Sequence, residues 1–275
     1  MNRSSSKTSR GRSASRRILT LCTLAALALI VVVTPTAADD FERGQPSIQS
    51  MSVLEFGPDG TLFIGDSKAG VVWAIRLDGE EPRGEVEKPM RIMDLEGKLG
   101  ARMGNAADEV MIHDLAVHPL SKNQFLAVSR GRKDWKSLWE MPNDVADAGL
   151  LVRISPTGEI SDIALDDVPF QRADLPNPID GSKTHQWKEG VSLRADAITD
   201  LELVGDTLLV AGLSNEEFAS TLWRIPYPFA GETAGTTLEI YHGAHGEYET
   251  HAPIRAFLPY ALDDDMHVVA SYLCT

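Results

Sequence analysis

The chain has 275 residues, 24% of them charged and 43% hydrophobic, with 40 acidic against 26 basic side chains and a formal net charge of −14. So acidic a balance repels phosphate backbones and excludes nucleic acid as the expected partner. The length is ample for a large core, and two cysteines, Cys22 and Cys274, exclude a disulfide-rich scaffold.

Residues 1–38 read as an export signal. Arg3, Lys7, Arg10, Arg12, Arg16 and Arg17 come with no acid, an apolar run follows from Ile18 to Val33, and small residues lead to Ala38. The apolar run is 16 residues, shorter than the roughly 20 a spanning helix needs, so cleavage after Ala38 is expected and no integral membrane span after it. Arg16-Arg17 also resembles a twin-arginine signal. By either export route, Sec or twin-arginine, the destination is periplasmic or secreted. Removing residues 1–38 takes away six basic residues and no acid, leaving 20 basic against 40 acidic side chains and a net charge of −20. Only Cys274 then remains, so no internal disulfide forms despite the oxidising destination.

Residues 39–47 are polar and read as a leader, and 48–275 as the folded part. Its first unit, 51–95, alternates short apolar strands with turns: Val53-Leu54-Glu55-Phe56, then Gly57-Pro58-Asp59-Gly60, then Leu62-Phe63-Ile64, then Val71-Val72-Trp73-Ala74-Ile75. Met90 to Leu95 is the expected fourth strand. The second unit opens at Ile112-His113-Asp114-Leu115 and continues through Phe125–Val128, Leu150–Ile154 and Ile160–Leu165. The third opens at Ile198-Thr199-Asp200-Leu201 and runs through Leu208–Ala211, Thr221–Ile225 and Thr237–Tyr241. A fourth starts at Ile254-Arg255-Ala256-Phe257 and reaches Ala270.

No long stretch shows the 3.6-residue period of an amphipathic helix. An all-β fold follows, and a four-strand unit recurring every 40–50 residues or so is the mark of a β-propeller; a β-sandwich is the competing architecture. Three units and half of a fourth do not close a ring, so the reading expects an incomplete propeller, with further blades or a fragment. In a propeller the longer insertions here, 95–111, 129–148, 166–197, 214–220 and 242–253, fall on one face, and a rigid scaffold that displays loops carries function there.

Candidate site residues follow from that placement. Asp114 and Asp200 occupy the same place on two first strands, with His113 beside one of them; carboxylates there suit a cation, or accept backbone N–H groups and fix the chain. Arg130 and Asn215 lie in equivalent loops and could bind a ligand. His242, His245 and His251, in one loop with Glu247 and Glu249, could hold a divalent metal or supply a general base. The cofactor is otherwise unknown. No G-x-S-x-G, H-E-x-x-H, P-loop or dinucleotide motif is present.

The run Gly57 to Ser67 followed by Gly70 to Ile75 resembles blades of exported bacterial propellers: NHL-type repeats, gluconolactonase-like proteins and the quinoprotein-like superfamily. The resemblance implies a propeller and, for gluconolactonase-like members, a divalent cation held in the channel by Glu, Asn and Asp. Leu54-Glu55-Phe56-Gly57-Pro58 lacks the glycine those members carry before the Glu, and the tryptophan-docking repeats of quinoprotein dehydrogenases are missing. The expected function is therefore a non-catalytic exported propeller that binds a protein or small ligand on its long-loop face. The alternative is a metal- or quinone-dependent periplasmic enzyme, lactonase- or dehydrogenase-like, with its site at the channel mouth.

Overall fold

The structure is a computed structural model that describes residues 41–85, 88, 90–131, 149–185, 191–244, 246–249, 252–263 and 265–272. The export segment lies outside the described residues. In chain order the elements are β1 (Glu42–Gly44), β2 (Val53–Phe56), β3 (Leu62–Asp66), β4 (Val71–Ile75), helix α1 (Leu95–Met103), β5 (Val110–Val117), β6 (Gln124–Arg130), β7 (Leu150–Ile154), β8 (Ile160–Ile163) and β9 (Val168–Asp174). There follow β10 (Asp200–Val204), β11 (Thr207–Leu213), β12 (Ser220–Pro226), β13 (Ala234–Thr237), β14 (Ile240–His242), β15 (Glu247–Glu249), β16 (Ile254–Leu262) and β17 (Asp265–Tyr272). Short 3-10 turns lie at Ala107–Glu109 and Leu193–Asp196. The fold is all-β, built from antiparallel sheets.

Sheet one has the order β1-β9-β4-β3-β2, sheet two β5-β6-β7-β8, sheet three β10-β11-β12-β13, and sheet four is the hairpin β16-β17. Strands β14 and β15 form a separate small hairpin. In sheet one, β3 and β4 are buried along their whole length, because both faces of this sheet are covered. Leu54, Phe56, Leu62, Ile64 and Trp73 meet Ala116, Phe125, Ala127 and Leu151 of sheet two. Val53, Phe63, Val72 and Ala74 meet Leu201, Leu208, Val210, Trp223 and Ile225 of sheet three. Side chains alternate across the pleat, so one run of apolar residues serves two interfaces. Sheet three in turn packs Leu209, Ala211 and Leu222 on Ile254 and Phe257 of sheet four. The sheets thus follow one another in the order two, one, three, four.

That order departs from the sequence-based expectation. Met90–Leu95 is not a strand. It leads into α1, capped by the Asp94 carboxylate accepting from Gly97 N–H, and its Met90, Ile92 and Leu95 pack on Leu126, Val128, Val152 and Ile154 of sheet two. The fourth strand of sheet one is β9, drawn from a stretch read as an insertion; it pairs Trp73 with Arg172 and Ile75 with Phe170. Sheet two is consequently inserted between the third and fourth strands of sheet one. In the third unit the last strand is Ala234–Thr237, while Ile240–His242 belongs to the small hairpin.

The turn between β2 and β3 forms as its residues dictate. The Asp59 carboxylate accepts from Thr61 N–H at 3.0 Å and from its hydroxyl at 2.9 Å. Gly60 has φ +87°, and a Cβ there would lie 2.7 Å from His118 Nε2, so both conformation and space require glycine. Among the described residues no helix is long and apolar enough to cross a membrane.

Candidate functional site

Among the described residues, two of the places that gather polar side chains bear on the expected site residues. The first is where the opening strands of the sheets lie side by side. Asp114, on β5, accepts from Leu115 N–H through Oδ1 at 2.8 Å and from Leu54 N–H of sheet one through Oδ2, also at 2.8 Å. Asp200, on β10, accepts from Leu201 N–H at 3.0 Å and from Phe257 N–H of sheet four at 2.7 Å. Both oxygens of each carboxylate are thus engaged by backbone, in the same pattern at two sheet junctions. Burial holds both carboxyls above their ordinary pKa, with the Asp114 charge adding to it at Asp200, and those N–H bonds offset the rise only in part.

Glu55 of β2 and Glu202 of β10 lie in the same field. Burial, with the charges of Glu202, Asp200 and Asp114, pushes the Glu55 carboxyl up to about 7. Glu202 is also raised, by burial and by Asp200. Neither glutamate is among the residues expected from the sequence. The signal was present in Glu55, the one charge in the apolar strand Val53–Phe56. His113 sits at a register shift between β5 and β6, its Nε2 2.6 Å from Ser129 Oγ; desolvation lowers its pKa.

The second place is the end of the sheets where the segments 67–70, 175–185, 191–199 and 214–219 meet. The Arg194 guanidinium donates to Ile179 O at 2.6 Å and to Lys68 O at 3.3 Å. Asn215 donates through Nδ2 to Pro178 O at 2.9 Å and accepts from Asp180 N–H at 3.0 Å. Ser67 Oγ both donates to Ile198 O and accepts from Ile198 N–H. Asp196, buried, takes a two-pronged bond from Arg255 at 2.6 and 3.0 Å, and His185 Nε2 lies 3.4 Å away. Burial alone would raise the Asp196 pKa; the bonds from His185 and Arg255 hold it below the usual value. His185, an isolated residue in the sequence, finds its partner only through this fold.

The expected candidates do not converge. Asn215 belongs to the braced loops beside sheet three. Arg130 ends β6 on sheet two, beyond sheet one, and donates to Met103 O at the end of α1, 2.7 Å away. His242 lies on the β14–β15 hairpin opposite Glu247, and that hairpin reaches the braced loops through an edge-to-face contact between Tyr248 and Phe218. His245 and His251 lie outside the described residues, as does most of the 129–148 insertion. The 95–111 insertion is not a displayed loop, because α1 covers sheet two. Among the described residues no group of three or more His, Cys, Asp or Glu side chains has the geometry to hold a metal ion.

No protein-family model and no curated protein matches the chain. Two solved structures align with it. One is a streptogramin B lyase, 13% identical with a TM-score of 0.21, over 83% of this chain and 72% of its own. The other is a selenomethionine-substituted virginiamycin B lyase from Staphylococcus aureus, 14% identical with a TM-score of 0.24, over 84% of this chain and 74% of its own. At those TM-scores neither alignment bears on the fold or the activity of this chain.

Proposed function

We propose that this chain forms consecutive blades of an exported β-propeller and acts as a non-catalytic binding protein, holding a protein or small ligand on its braced loops. The radial reading is supported by the repeated clasp, in which Asp114 and Asp200 hold equivalent backbone N–H groups of the adjoining sheet. The observation that carries the function is the bracing itself. Arg194, Asn215 and Asp196 tie loops from different parts of the chain to one another, so the surface they present is ordered before any ligand arrives, which lowers the entropic cost of binding. Asp180, Asn177 and Glu216 are exposed on it.

Native mass spectrometry of the protein recovered from its own compartment tests this. A co-purifying ligand or partner is expected, lost in Glu216→Ala combined with Asp180→Ala, while the melting temperature holds. A ligand-free protein, or retention unaffected by that double change, overturns the reading.

A second reading, a metal- or quinone-dependent enzyme, draws on Glu55, whose carboxyl exchanges its proton near neutral pH as a general base must. Stoichiometric tight metal or quinone that disappears in Glu55→Gln would establish it in place of the first.

A further inference from the structure

Strand β1 pairs with β9 only over Val168–Phe170. Past that point, among the described residues, the edge of β9 carries no partner strand. Leu175 N–H bonds to Gly70 O and Arg76 N–H to Pro169 O, so the odd-numbered residues of β9 bond towards β4, and Arg172 and Asp174 turn their backbone N–H and C=O outward. A cleft of about 410 Å³ opens beside this edge, lined by Glu42, Trp73, Phe170, Gln171, Arg172 and Phe229. A second of about 460 Å³ shares Arg172 and Phe229 with it. Both volumes are within the range of small-molecule sites.

Gln171 makes this more than a surface groove. Its side chain is buried, 7% exposed, and its Oε1 accepts from Phe229 N–H at 3.2 Å. That bond settles which end of the amide is which. The Nε2 end keeps two donor hydrogens, and among the described residues nothing accepts from it. Nε2 itself reaches solvent in the cleft, so its donors are open to a ligand.

We infer that this paired cleft binds a neutral saccharide. Gln171 Nε2 donates, as does the Arg172 guanidinium beyond the bond it gives Asp174, the Glu42 carboxylate accepts, and the Phe229 and Phe170 rings offer apolar faces. Hydroxyl groups answer both donors and acceptors, while the C–H face of a sugar ring lies on an aromatic ring. An anion would meet Glu42 and Asp174 in a chain of net charge −14, and a cation would meet Arg172. The cleft meets the braced loops at Leu175 and Pro176, but Gln171, Arg172, Glu42 and Phe229 lie outside them, and the inference stands whether or not those loops bind anything.

Saturation-transfer NMR and calorimetric titration with maltose, cellobiose and N-acetylglucosamine test it, with gluconate as the anionic comparator. At least one neutral sugar should bind saturably, and Gln171→Glu should weaken it tenfold or more. Ionised, that variant still accepts from Phe229 N–H but has lost its donors, and its melting temperature, read in parallel, separates loss of the donors from loss of the fold. Phe229→Ala should weaken binding as well. No saturable binding by any neutral sugar, tighter binding of gluconate, or unchanged affinity in Gln171→Glu each overturns the inference.

Discussion

Glu55 is a carboxyl whose strand neighbours are apolar and whose charged neighbours are all acids. Its ordinary pKa of 4.5 is moved to about 7 in the folded chain. Between those values the unfolded chain has released the proton and the folded chain still holds it, so stability falls as pH rises through that window and levels off above it. Because Glu55 keeps some solvent access, the loss is set at about 1–2 kcal/mol rather than the full linkage value. Glu55→Gln is expected to be more stable than the parent by that amount at pH 8, with little difference at pH 4, in urea unfolding at the two pH values. An equal effect at both would show that burial of the neutral side chain, not its ionisation, governs the site. Asp66 is buried among donors instead: its carboxylate accepts from Gln49 and Ser50 N–H at 2.7 and 3.0 Å and from Ala69 N–H at 3.0 Å. Asp66→Asn would set an amide donor against those N–H groups.

At the scale of strands and turns, the sheet junctions depend on single carboxylates. Asp200→Ala leaves Phe257 N–H of β16 without its acceptor, at about 1–3 kcal/mol for a buried donor. Sheet four is a two-stranded hairpin with little support of its own, so the effect should concentrate there. Hydrogen exchange at Phe257 is expected to accelerate strongly in Asp200→Ala while the amides of β3 keep their protection; uniform acceleration would contradict the local role. In the β2–β3 turn, Gly60→Ala would strain the backbone at φ +87° and press on the His118 ring. A loss of about 1–3 kcal/mol is expected, measured as a lowered denaturation midpoint.

Over the whole molecule, apolar surface is distributed unevenly. Trp223, 1% exposed, lies between sheets one and three and donates to Pro176 O at 3.2 Å. Trp223→Ala should cost about 3–5 kcal/mol. In contrast, Leu258 and Val269 of sheet four are 62% and 61% exposed, and Tyr260, Leu262 and Met266 are at least half exposed. Such a patch favours association. Leu258→Glu with Val269→Lys is expected to leave the melting temperature within about a degree or two and to raise solubility, since surface changes cost little. A large drop in melting temperature would mean that those side chains are buried in solution.

The sequence alone determined what is local. Alternating apolar residues and the Gly57-Pro58-Asp59-Gly60 turn marked β2, β3 and β4, because pleat period and turn chemistry act over a few residues. The apolar runs of sheets two and three were legible for the same reason. Only the tertiary structure decided which strand completes sheet one. Val168–Asp174 and Met90–Leu95 are both short and mixed in character, and the choice between them rests on pairing with β4 and on the apolar face of sheet two that Met90, Ile92 and Leu95 cover. The candidate site divides in the same way. Asp114 and Asp200 stood out by their matching positions, whereas the Glu55 pKa and the His185–Asp196–Arg255 contact arise from groups far apart in the chain. Charge interaction and burial depend on distance in space, which the order of residues does not record.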